Sequence, residues 1–139
     1  MFPSEKYFYI QSRKSGLVLS CDGQEETGSK LVIRPKAEDD ESQLWKYEHG
    51  FLVCKKTLLV MDIAGGDLKV DSKVLQYNRK KTMTHNQRWG MRDHFIYAVA
   101  DPRLVLNAKE EEGSNIVVST RILEDNDHQQ WDIEVYQEE

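Results

Sequence analysis

Only two of the 139 residues are cysteine, Cys21 and Cys54. Small secreted domains held by disulfides carry several cysteines at framework spacings, so two free, buried thiols are expected instead. No apolar run approaches the ~18–20 residues that a membrane-spanning helix needs, and no membrane insertion is expected. The opening stretch MFPSEKYFYI lacks a basic region followed by a long apolar one. It therefore does not read as a secretory signal, and a cytoplasmic location is expected, with non-classical secretion left open. A dense basic face is missing as well. Lys and Arg number 19 against 24 Asp and Glu, for a net charge of −5. That balance argues against nucleic acid or an anionic membrane as the main partner. The short cluster Arg79-Lys80-Lys81 does not reverse it and reads as a solvated loop.

What is present is a repeat. Gln43-Leu44-Trp45, Gln87-Arg88-Trp89 and Gln129-Gln130-Trp131 share the pattern Q-x-W and hold all three tryptophans of the chain, 44 and then 42 residues apart. Other features keep step with it. Leu17-Val18-Leu19-Ser20, Leu59-Val60-Met61-Asp62 and Leu104-Val105-Leu106-Asn107 are apolar runs ending in a polar residue. A short apolar strand precedes each: Phe8-Tyr9-Ile10, Phe51-Leu52-Val53 and Phe95-Ile96-Tyr97. A turn follows each, then Leu31-Val32-Ile33, Val74-Leu75-Gln76-Tyr77 and Ile116-Val117-Val118. Gly28 and Gly113 stand three residues before Leu31 and Ile116, where a hairpin turn calls for positive φ, and Asp71 holds the matching place in the middle repeat.

Each unit reads as about four short strands bounded by Gly, Asp, Asn and Ser, with no stretch of helical periodicity. Three such units cannot bury their apolar faces singly, and closure on one another also removes exposed sheet edges. The expected fold is all-β, a twelve-stranded β-trefoil of three pseudo-equivalent repeats (about 5–48, 49–91 and 92–137). No Pro/Gly/Ser-rich linker interrupts them, so residues 1–139 are expected to form one domain.

These motifs resemble the ricin-B-type (R-type) β-trefoil lectins over nearly the whole chain, and the chain is similar to small single-domain fungal ricin-B-like proteins. The resemblance implies that the Q-x-W residues Gln43, Trp45, Trp89 and Trp131 are structural. It places a sugar site where an Asp follows the apolar run, an aromatic platform comes about fifteen residues later, and an Asn precedes Q-x-W. The chemistry has a reason. A carboxylate accepts charge-assisted hydrogen bonds from adjacent hydroxyls, an aromatic face packs on the sugar's C–H surface, and an amide both donates and accepts.

Carried over residue by residue, the second repeat matches: Asp62, Tyr77, Asn86 and Gln87, with Ala64-Gly65-Gly66-Asp67 resembling the Gly-rich turn beside the site. Leu75 departs from the pattern, since many members carry Gln there. In the third repeat Asn107, His128 and Gln129 make a weaker candidate, with Ser119 in the aromatic place. In the first, Ser20, Arg34 and Ser42 replace the three key residues and Asp22 is displaced, so that site is expected to be lost. The implied ligands are glycans or glycoproteins with terminal galactose or N-acetylgalactosamine, bound by a monomer or homodimer. A ricin-like toxin and a trefoil scaffold for protein contacts remain alternatives.

Nothing in the sequence points to catalysis, a metal or a cofactor. His49, His85, His94 and His128 are scattered without ligand-like spacing, and neither a phosphate loop nor a nucleophile elbow is present. The acidic runs Glu38-Asp39-Asp40-Glu41 and Glu110-Glu111-Glu112 read as solvated loops.

Overall fold

Short β-branched and aromatic runs separated by left-handed turn residues leave the chain little choice but hairpins. The structure, a computed structural model, describes residues 1–109 and 111–137. Of the second acidic run, Glu110 lies outside the described residues. Twelve strands follow in order: β1 (Phe8–Ser12), β2 (Val18–Ser20), β3 (Val32–Arg34), β4 (Trp45–Glu48), β5 (Phe51–Cys54), β6 (Val60–Ile63), β7 (Val74–Tyr77), β8 (Trp89–Arg92), β9 (Phe95–Ala98), β10 (Asp101–Ala108), β11 (Ile116–Thr120) and β12 (Trp131–Val135). The only helical elements among the described residues are single 3-10 turns at Glu41–Gln43 and Asp127–Gln129, each feeding a Q-x-W.

The first and last strands join. β1 pairs with β12 from Phe8 opposite Val135 to Ser12 opposite Trp131, and with β4 at Phe8 opposite Trp45. β4 pairs with β5 and β8 with β9. The Trp89 N–H donates to Gly50 O (2.9 Å) and the Trp131 N–H to His94 O (2.8 Å) at the remaining seams. β2–β3, β6–β7 and β10–β11 form three hairpins. This is the expected β-trefoil.

Alternation along the second strand of each repeat divides its side chains between two layers. Leu19, Met61 and Leu106 enter the central core. Val18 packs instead with Tyr9 and Leu44, and Val60 with Phe51 and Val53. The three tryptophans are fully buried at the centre. Each indole N–H donates to the carbonyl of a core residue: Trp45 to Leu19 (3.2 Å), Trp89 to Met61 (3.0 Å) and Trp131 to Leu106 (3.2 Å). The polar edge of each ring is thus satisfied while its area is buried; truncating such a ring to Ala costs about 3–5 kcal/mol.

The hairpins interlock around the pseudo-threefold axis. Gly28, Asp71 and Gly113 adopt φ of 89°, 68° and 81°. Their N–H groups donate to the next repeat: Gly28 to Gln76 O (2.8 Å), Asp71 to Val118 O (2.8 Å) and Gly113 to Ile33 O (2.9 Å). The positive φ turns each amide outward to meet its neighbour.

Cys21 and Cys54 are free and fully buried, their Sγ atoms 3.7 Å apart across the boundary between the first two repeats. Contact with Cys54, together with burial, pushes the Cys21 thiol pKa up, and contact with Cys21 draws that of Cys54 down.

Two loops differ from expectation. Asp40 is not simply solvated: its carboxylate accepts from the Ser42 N–H (3.0 Å) and the Ser42 hydroxyl, capping the 3-10 turn. The Arg79-Lys80-Lys81 cluster is divided. Arg79 lies 4.3 Å from the Phe51 ring centroid and pairs with Glu48 (3.4 Å), and Lys80 folds inward. Of the three, only Lys81 stays on the surface without a partner of either kind among the described residues.

Candidate functional site

In the second repeat, the register of β6 against β7 places Asp62 opposite Leu75 and Val60 opposite Tyr77. Residues opposite or diagonal to one another share a face, so Asp62, Leu75 and Tyr77 project to the same side. Tyr77 is 40% exposed and Asp62 only 4%, so this face carries an exposed aromatic ring and a sunken carboxylate. Asn86 and Gln87 are buried beside it.

Hydrogen bonds set the roles of these groups. The Gln87 amide accepts from the Lys80 N–H (3.0 Å) and donates to Asn78 O (2.9 Å) and to Asp62 Oδ2 (2.9 Å). Asn86 Nδ2 donates to Ile63 O (3.1 Å), and its Oδ1 accepts from Lys80 Nζ (3.0 Å). Burial raises the Asp62 pKa above the ordinary carboxylate value, against the lowering pull of the Gln87 bond, the Lys80 charge and Asn86. Gln87 therefore braces the main chain and the carboxylate at once, while Asn86 is committed to Ile63 and Lys80.

Lys80 is the residue that sequence reasoning missed. Its main-chain N–H takes the place that the Ala37 and Ile122 N–H groups take against Gln43 and Gln129. Neither Ala37 nor Ile122 carries a charge, so the repeat pattern holds no signal for an ammonium here. Gly65, Gly66 and Asp67 line an open depression together with Lys80, Lys81, Thr82, Met83 and His85. A His85 Nε2 contact to Gly66 O (2.7 Å) ties its two walls together.

The third repeat brings its candidates together without an aromatic. Asn107 lies opposite Val117, and Gln129 Nε2 reaches Asn107 Oδ1 (3.3 Å) as well as Thr120 O (3.1 Å). Asn107 and His128 line one depression with Lys109 and Glu111. Ser119 stands where Tyr77 stands in the second repeat, so the hairpin has no ring at that place.

In the first repeat the corresponding face carries an ion pair. Arg34 Nε and Nη2 each lie 2.9 Å from an Asp22 oxygen, and Glu112 approaches the same guanidinium at 3.5 Å. Hydrogen bonding to Arg34 holds the Asp22 carboxyl below its usual pKa. Ser20 and Ser42 face each other at 3.4 Å, and the Ser20 hydroxyl accepts from the Asp22 N–H (2.8 Å). Both positions that would serve a ligand are turned inward.

No group of three or more His, Cys, Asp or Glu with metal-holding geometry occurs among the described residues. Among the described residues no helix is long and apolar enough to cross a membrane.

Known structures share this architecture. The mdaA-1 domain is 29% identical with a TM-score of 0.85, over 96% of this chain and 91% of that one. The C-half of an earthworm R-type lectin, solved with GalNAc, is 22% identical with a TM-score of 0.78, covering 94% and 98%. The Macrolepiota procera ricin B-like lectin, solved with lactose, is 16% identical with a TM-score of 0.78, covering 96% and 98%. The latter two likenesses speak for the fold alone. A comparison with curated proteins finds no match. The family model described as "Ricin-type beta-trefoil lectin domain" matches residues 6–134, and with the three buried Q-x-W motifs this means that the chain belongs to the ricin-type β-trefoil lectin family.

Proposed function

We propose that this lectin domain binds terminal galactose or N-acetylgalactosamine at its second repeat, as a binding module without catalysis of its own. The observation that carries the reading is the pairing, on one hairpin face, of the sunken carboxylate of Asp62 with the exposed ring of Tyr77. Neither of the other repeats combines the two. Asp62 has one oxygen engaged by Gln87, and its charged form makes it a strong acceptor for sugar hydroxyls. Tyr77 supplies the flat apolar surface against which a pyranose C–H face packs. GalNAc and lactose in the two related lectins named above support a galactose-type ligand.

A few hydrogen bonds and one stacked ring correspond to a Kd near ~1 mM, about 4 kcal/mol. Stronger attachment to a glycosylated surface then requires clustering, which multiplies affinity about 10²–10⁴-fold where geometry allows. Calorimetric titration with galactose and N-acetylgalactosamine tests the site: Asp62→Ala and Tyr77→Ala should each abolish binding with the circular dichroism spectrum unchanged. Undiminished binding in both variants would sink the assignment.

A further inference from the structure

We propose that the depression between the Gly65–Asp67 turn and the 80–85 loop is an anionic subsite, which adapts the second-repeat pocket to sugars bearing a carboxylate or a sulfate ester. The inference rests on the reading of that pocket as the sugar site and goes beyond it in naming the substituent. Gly65 and Gly66, at φ of 80° and 75°, turn the chain away from β6 and leave room beside it. Lys80 and Lys81 stand on the opposite wall. Lys80 Nζ reaches the 2%-exposed Asn86 at 3.0 Å, and its charge acts on Asp62. It therefore stands where the neutral sugar pocket and the depression meet. Lys81 is exposed, and among the described residues no carboxylate lies within ion-pair distance of it. The one acidic side chain of the wall, Asp67, has Lys69 beside it at 3.6 Å. Lys81 thus presents an exposed ammonium to the depression, and Lys80 stands at its inner edge with its ammonium on Asn86, in a chain whose net charge is −5. A negative substituent projecting from a sugar seated on Tyr77 and Asp62 would meet that local positive potential.

The probes are methyl β-galactoside, its 6-sulfate and methyl β-galacturonide, titrated calorimetrically at low ionic strength and again with added salt. Exposed ion pairs are worth little, so each acidic sugar should bind about two- to fivefold more tightly than the neutral one. Added salt should bring that ratio towards one, and Lys81→Gln alone or with Lys80→Gln should do the same. A gain for the sulfate alone assigns a sulfate-ester ligand, and a gain for the uronide alone assigns a carboxylate. If the neutral sugar binds and neither acid binds more tightly, or if the preference survives the double substitution, the subsite is refuted while the sugar site stands. If none of the three binds, both readings fall together.

Discussion

The three Q-x-W glutamines form an internal series that isolates the energetic role of Asp62. Gln43 makes two main-chain hydrogen bonds, accepting from Ala37 N–H and donating to Pro35 O. Gln129 makes the equivalent pair and adds a long contact to a neutral amide, Asn107. Gln87 makes the pair and adds a donor to the buried Asp62 carboxylate. Truncation to Ala removes two neutral bonds in every case, about 1–3 kcal/mol. Gln87→Ala alone also strips a bond to a charged group, a further ~1.5–3 kcal/mol. An unfolding entropy of about 2.1 cal/mol/K per residue over 139 residues makes each kcal/mol worth about 3–4 °C. Gln87→Ala should therefore melt about 5–10 °C below Gln43→Ala at neutral pH, with Gln129→Ala close to Gln43→Ala. Scanning calorimetry reads this directly. The excess should shrink in acid, where Asp62 becomes protonated and depends less on a donor. Equal melting temperatures for Gln43→Ala and Gln87→Ala at neutral pH would refute the reasoning.

Two other outcomes are expected. Burial raises the Asp62 pKa, so the stability its carboxyl contributes is present below the ordinary aspartate value of about 3.9 and is lost as pH rises through the folded value. Asp62→Asn lacks that loss, and its stability relative to the parent should climb between acid and neutral pH in urea titrations; a pH-independent difference would contradict this. Asp71 occupies the left-handed place that Gly28 and Gly113 fill in the other repeats, and among the described residues no side-chain bond holds it there. Asp71→Gly should raise stability by about 0.5–1 kcal/mol, and Asp71→Val, whose branched side chain resists positive φ, should lower it. Thermal melts that rank these two variants the other way round would remove backbone strain as the explanation.

The fold was legible because its determinants are local and occur three times. Strand runs, turn residues and tryptophans each report on their own few neighbours, so the pattern in the chain is the pattern in the barrel. Asp62 and Tyr77 were legible together for the same reason: a single hairpin register sets them on one face. What escaped was contact between segments whose approach no repeat encodes. Lys80 reaches Asn86 through the course of one irregular loop. The pairing of Arg34 with Asp22 depends on how a guanidinium folds across two strands. Cys21 and Cys54 read as buried thiols, but their meeting at 3.7 Å follows from the packing of one repeat on the next. Asp40 shows the converse: a carboxylate within an acidic run was recruited by the open amide of a short turn.

The ring of amide bonds from Gly28, Asp71 and Gly113 runs in one rotational sense. Each repeat hands a donor forward to the next and receives one from behind, so the unit of sequence duplication is not a unit of hydrogen-bond closure. Of the groups in this ring, a single repeat cut from the chain leaves one N–H at its turn and one carbonyl in the strand that follows unanswered. Two repeats still carry one of each at their outer boundaries. Three is the smallest number at which the circuit has no ends. The same head-to-tail rule would let three separate copies of one repeat close the identical ring as a trimer, with covalent continuity replaced by symmetry.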